Sequence, residues 1–198
     1  PFFLFLYLPV LLGLYYLIGP RFRNAMLLAA SVLFYVWGEK TYVIVMGLII
    51  AVNYLLGRWA HARAGVRSTR GIVALAVTIN LGLLIVFKYL NFLVEQTNLL
   101  LALCQLPTLP QTSIHLPLGI SFFTFHALSY VIDIARQTAQ PGKPLDFALY
   151  MTFFPHAIAG PIVRYGDIAA QLKERYFSSA EFAEGVRRSG LIQVLVKT

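Results

Sequence analysis

Long apolar runs, broken by short clusters of charge, set the plan of this 198-residue chain. Residues 2–18 are apolar almost throughout, and at 1.5 Å rise per residue the run reaches about 25 Å, enough to cross a hydrocarbon core. Residues 24–37 and 41–56 are two shorter runs separated only by Gly38, Glu39 and Lys40, which predicts a tight helical hairpin. A basic loop over 58–70 carries four arginines and no acid. Residues 71–87 form another span, and Lys88 marks its end. From 89 to 106 the apolar signal is interrupted by Asn91, Glu95, Gln96 and Asn98, the pattern of a tilted or interfacial helix. A loop over 107–116, an apolar helix over 118–132 and a polar link over 133–144 follow. Residues 145–163 are apolar yet contain Pro155, His156, Gly160 and Pro161, so a broken or re-entrant helix is predicted. Beyond it the chain turns charged and amphipathic, with Ser178 and Glu181 in capping-box spacing at the start of a helix through roughly Arg188. The predicted architecture is all-α: a polytopic transmembrane bundle over 1–163, then a charged segment over 164–198 on the cytoplasmic side.

Composition strengthens the membrane reading. The chain is 59% hydrophobic and 12% charged, whereas a soluble domain carries about a quarter charged residues. A net charge of +8 does not imply nucleic acid, because the arginines and lysines sit between apolar runs and form no stripe. They fit orientation by cytoplasmic positive charge. With the N-terminus outside, Arg21, Arg23, Arg58, Arg63, Arg67 and Arg70 fall inside, against Lys40 and Lys88 outside, each of these near an acid, Glu39 or Glu95. The first apolar run has no basic residue before it and Arg21 and Arg23 after it, the reverse of a cleavable leader. Opening on Pro1, the chain is expected to lack a few preceding residues. Cys104 is the only cysteine, so no internal disulfide and no CxxC site is possible. Four scattered histidines without a second cysteine predict no metal site; His115 and His61 lie in loops and read as solvated bystanders.

Two places hold polar chemistry inside apolar sequence. Gly119, Phe122, His126, Ser129 and Asp133 recur at 3–4 spacing and share one helix face. A hydrolytic triad is excluded, because its histidine must stand between nucleophile and carboxylate, and here Ser129 stands between the other two. That leaves two readings: a polar stripe pairing with a neighbouring helix, or a lining of a substrate passage by His126, with Asp133 at its end. The second place is the broken segment. Proline frees backbone groups that lipid cannot satisfy, so Pro155, Gly160 and Pro161 need shelter in protein or a cavity. An ionisable His156 at that depth either satisfies a freed carbonyl or lines and orients substrate in a passage. Arg164 and Tyr165 follow with Asp167 at the predicted boundary, as interfacial anchors or as contacts for an anionic acyl donor.

The stretches FFLFLYLPVLLGLYYL near the start, VFKYLNF at 86–92, LPLGISFFTFHALSYVID at 116–133, DFALYMTFFPHAIAGPIVRYGDI at 146–168 and FAEGVRR at 182–188 resemble the membrane-bound O-acyltransferase family, in its bacterial alginate O-acetylation branch. The resemblance implies transfer of an acyl group, here acetyl, from a cytosolic thioester such as acetyl-CoA toward a hydroxyl of an envelope polysaccharide, in the bacterial inner membrane. It also implies a periplasmic acetyltransferase partner that completes the transfer, contact with membrane lipid, and no bound cofactor. The family's catalytic histidine lies in a later, tryptophan-rich helix. Only Trp37 and Trp59 occur here, neither adjacent to a histidine, so that residue is expected beyond Thr198 and this chain is the funnel-forming N-terminal portion. Other members can carry glutamine where His156 stands. The alternative is a carrier or channel subunit that moves an acyl group or lipid-linked sugar without making the ester.

Overall fold

The computed structural model describes residues 7–65, 69–110, 114–153 and 163–173, the side chains of Leu8 and of 170–173 aside. Every regular element among them is helical: α1 (Leu8–Leu17), α2 (Arg23–Gly38), α3 (Tyr42–Ala62), α4 (Thr69–Leu103), α5 (Ile120–Ala135), α6 (Pro144–Thr152) and α7 (Tyr165–Lys173), with a single 3-10 turn at Pro20–Phe22 leading into α2. By length and composition α3 and α4 are able to cross a membrane, and α5 is a shorter apolar helix. The polarity is that of a bundle in lipid. Leu33, Ile44, Leu55 and Leu100 are largely exposed, while Ser31, Asn53, Asn80, Thr124 and His126 are buried. In hydrocarbon, polar groups turn to neighbouring helices because no water competes for them. Asn53 and Asn80 show this: each amide donates to the other's oxygen across α3 and α4, at 3.1 and 2.7 Å, and to a carbonyl of its own helix.

Hydrogen bonds fix which helix ends lie together. At one end, Asn24 near the start of α2 donates to Asp146 of α6 (2.8 Å), and Tyr54 in the second half of α3 donates to the Gly142 carbonyl between α5 and α6 (3.3 Å). At the other end, Glu39 just past α2 accepts from the Leu118 N–H before α5 (3.0 Å), and Tyr42 opening α3 packs on Phe87 of α4. The helices α2 to α6 therefore alternate in direction, as the hairpin prediction requires.

Two helix boundaries differ most from the sequence reading. The expected basic loop at 58–70 is shorter, because α3 runs on through Arg58 to Ala62; a basic side chain at a membrane boundary does not stop a helix. The expected break at Lys88 is absent: α4 is one helix of 35 residues, about 52 Å long. The level of Lys88 still marks the end of the bundle, since Phe87 meets Tyr42, but the backbone continues past it. Two of the four polar residues read as interruptions, Asn91 and Asn98, clasp the loop that follows α4. Asn91 exchanges hydrogen bonds with the backbone of Ile114 (2.7 and 3.1 Å), and Asn98 does so with Leu109 (3.0 and 2.7 Å). His115 is exposed, as expected, and in addition its Nε2 lies 3.2 Å from Glu39 Oε1. His61 is exposed on the last turn of α3.

Candidate functional site

At the Asn24–Gly142 end, α5, α6 and α7 converge with α3 on a knot of aromatic and polar side chains. The sequence dictates why α6 starts here: Pro144 takes the first helical position, where its missing N–H costs nothing, and Asp146 adds negative charge to the first turn. The helix is nine residues long, about 13 Å, too short to cross a bilayer. It ends at Thr152, and the chain returns at Val163, whose carbonyl accepts from the Tyr150 hydroxyl (2.8 Å). Tyr165, opening α7, then accepts from the Gly142 N–H at the entrance of α6 (3.0 Å). Both ends of this segment thus lie at the same end of the bundle. The predicted re-entrant path agrees with that. Pro155, His156, Gly160 and Pro161, along with the amphipathic stretch from Ser178 to Arg188, lie outside the described residues.

The polar stripe of α5 holds the start of α7. Ser129 donates to Asp133 Oδ2 (3.3 Å) and accepts from the Tyr165 N–H (3.1 Å). Asp133 Oδ2 also accepts from the Gly166 N–H (3.1 Å). A carboxylate from one helix caps the N-terminus of another, satisfying donors that no preceding turn can reach and opposing the positive end of the helix dipole. Of the two readings of this stripe, Ser129 and Asp133 follow the first: they pair with a neighbouring helix. Asp133 belongs to α5, which ends at Ala135, and not to the link, which narrows to 136–143.

His126 is fully buried one turn deeper, its ring 5.1 Å from that of Tyr150. Tyr130, on the same side of α5, is also fully buried, between Phe147 at 4.0 Å and Tyr165 at 4.7 Å. Of the three tyrosines of this knot, Tyr165 is the one the sequence pointed to, as a boundary residue; Tyr130 and Tyr150 were not singled out. The 3–4 periodicity that marked His126 extends to Tyr130, and the Pro-Gly-Lys-Pro run at 141–144 was a turn signal for Gly142. Burial pushes the Tyr165 phenol above its ordinary range, and the Gly142 N–H draws it partly back. Arg164 is exposed beside the knot, and its carbonyl accepts from the Asp167 N–H (3.2 Å). Among the described residues no group of three or more His, Cys, Asp or Glu side chains is arranged to hold a metal ion.

Comparison with known proteins decides what this bundle is related to. The chain is 40% identical, over 94% of its length, to the Pseudomonas aeruginosa protein named "Probable alginate O-acetylase AlgI". The chain is thus similar to a part of proteins that bear this name. The Azotobacter vinelandii protein of the same name is also 40% identical over 94% of the chain. The peptidoglycan O-acetyltransferase of Helicobacter pylori is 32% identical over 88% of it. The chain spans little more than a third of these relatives, 36%, 38% and 38% of their respective lengths. No protein-family model and no solved structure matches it.

Proposed function

We propose that the chain is the N-terminal, funnel-forming part of a multi-pass O-acyltransferase of the bacterial inner membrane. The enzyme takes acetyl from a cytosolic thioester such as acetyl-CoA toward a hydroxyl of an envelope polysaccharide of the alginate type, and a periplasmic acetyltransferase partner completes the transfer. The observation that carries this is the 40% identity to alginate O-acetylases, which at 94% coverage takes in the α5–α7 knot. In the reaction a hydroxyl oxygen attacks the thioester carbonyl, a base removes its proton, and the carbon–sulfur bond breaks to release the thiol. On this reading the base is a histidine outside the chain. The residues here shape the approach: Ser129 and Asp133 hold the start of α7, and Arg164 stands at the end where an anionic donor arrives. His156 and the prolines beside it line the passage, with His126 at its wall.

Two measurements test this. The purified 198-residue chain should transfer no acetyl to polysaccharide, whereas turnover by it would overturn the division of labour. In the full-length protein, His156→Ala should lower acetylation in part. Complete loss with normal expression would make His156 the base, and no change would return it to packing. Absence of a histidine in a tryptophan-flanked helix of the extended coding sequence would favour the carrier alternative.

A further inference from the structure

The groove between α1 and α2 takes no part in that reading. Val10, Leu11 and Leu14 of α1 face Met26, Ala29 and Leu33 of α2 across about 410 Å³, and the lining is almost wholly apolar. From Tyr7 to Leu14 it runs about 10 Å along the helix, set against roughly 15 Å for the hydrocarbon of one leaflet. Those dimensions suit an acyl chain.

The basic end of the groove is charged in one sense only. Leu14 adjoins Tyr15, and the Arg23 guanidinium lies 4.7 Å from the centre of the Tyr15 ring. Met26 lies three residues beyond Arg23, on the same side of α2. Arg23 Nε is shut off from solvent and has no hydrogen-bond acceptor among the described residues. Arg21 is exposed two residues away, in the turn between the helices. Residues 1–38 contain no carboxylate. Asp146 of α6 is engaged by Asn24. Two arginines with no carboxylate on either helix, set above an apolar slot, call for an oxyanion carrying a hydrocarbon tail.

We propose that this groove binds one anionic phospholipid, with its phosphate on the Arg21–Arg23 turn and one acyl chain along Met26, Ala29 and Leu33. The test uses the full-length protein in phosphatidylcholine nanodiscs doped with phosphatidylglycerol bearing a photoreactive acyl chain. Crosslinks read by mass spectrometry should fall on the α1 and α2 residues that line the groove. Arg23→Gln should lower labelling about tenfold, the factor expected for one charge-assisted hydrogen bond. Ala29→Phe, which fills the slot and leaves both arginines in place, should lower it similarly and guards against a folding defect in the first variant. Equal labelling by a phosphatidylcholine probe would mean ordinary boundary lipid and would overturn the proposal. So would unchanged labelling in Ala29→Phe, or competition by inorganic phosphate, which would indicate a bare anion site.

Discussion

Gly57 shows how much a single residue decides in this bundle. A Cβ built there would stand 2.2 Å from Cε1 of Tyr130, and Tyr130 has nowhere to go, being packed against Phe147 and Tyr165. Gly57→Ala should therefore destabilise the folded protein by about 1–3 kcal/mol, the usual cost of overpacking. On the same helix Gly47 has nothing within 4 Å of the corresponding position, and Gly47→Ala should be neutral or stabilising by up to about 1 kcal/mol through helix propensity. Unfolding midpoints in detergent separate the two; equal midpoints would remove the packing argument. The sequence could not distinguish these glycines, since both lie in an apolar run with helical spacing. It did distinguish Ser129 and Asp133, because a polar stripe inside an apolar helix is visible in one dimension. Their partners, the Tyr165 and Gly166 amides, carry no side-chain signature and become visible only when α5 and α7 meet.

Among the elements, α7 has its first backbone donors met by a neighbour: the Tyr165 and Gly166 N–H groups bond Ser129 and Asp133 of α5. Asp133→Ala should release the Gly166 N–H and loosen Ser129, at a cost of about 1 kcal/mol, typical of a lost helix cap. Hydrogen exchange should quicken about fivefold over the first turn of α7, while the centre of α3 is unchanged. Asp133→Asn keeps an acceptor oxygen and should retain most of the protection. Unchanged exchange in the alanine variant would show that α7 is held by other contacts. The spans themselves were legible, because apolar runs bounded by charge are a strong one-dimensional signal. Their ends were not. Arg58 was read as loop and Lys88 as a stop, yet a helix satisfies its own backbone and continues through a charged residue wherever the side chain reaches water. Asn91 and Asn98 looked like interruptions because a sequence does not show that a loop returns to meet them.

For the whole molecule, the sorted helix ends turn a charge count into an axis. Arg21 and Arg23 before and at the start of α2, Arg58 in the last turns of α3, Arg70 opening α4, Arg136 closing α5, Lys143 before α6 and Arg164 before α7 all belong to one end. Lys40 and Lys88 belong to the other, with the Glu39–His115 pair. Arg136, Lys143 and Arg164 were not needed to predict the orientation, and their placement extends the same bias. The chain's single cysteine reports on it directly, since Cys104 is exposed just past α4, beyond the end that bears Lys88. In intact cells a membrane-impermeant maleimide should label Cys104. In a Cys104→Ser background, Ala62→Cys at the exposed end of α3 should react only after permeabilisation. The two sites share one reagent and one fold, so a difference in reactivity cannot come from expression or intrinsic thiol chemistry alone. Reversal of the pattern would turn the bundle over in the membrane and put the α5–α7 knot on the side opposite a cytosolic thioester, which would remove the route proposed for the acyl group. Labelling of both sites without permeabilisation would instead mean that α4 does not separate two compartments, and the 35-residue helix would then have to lie along the membrane.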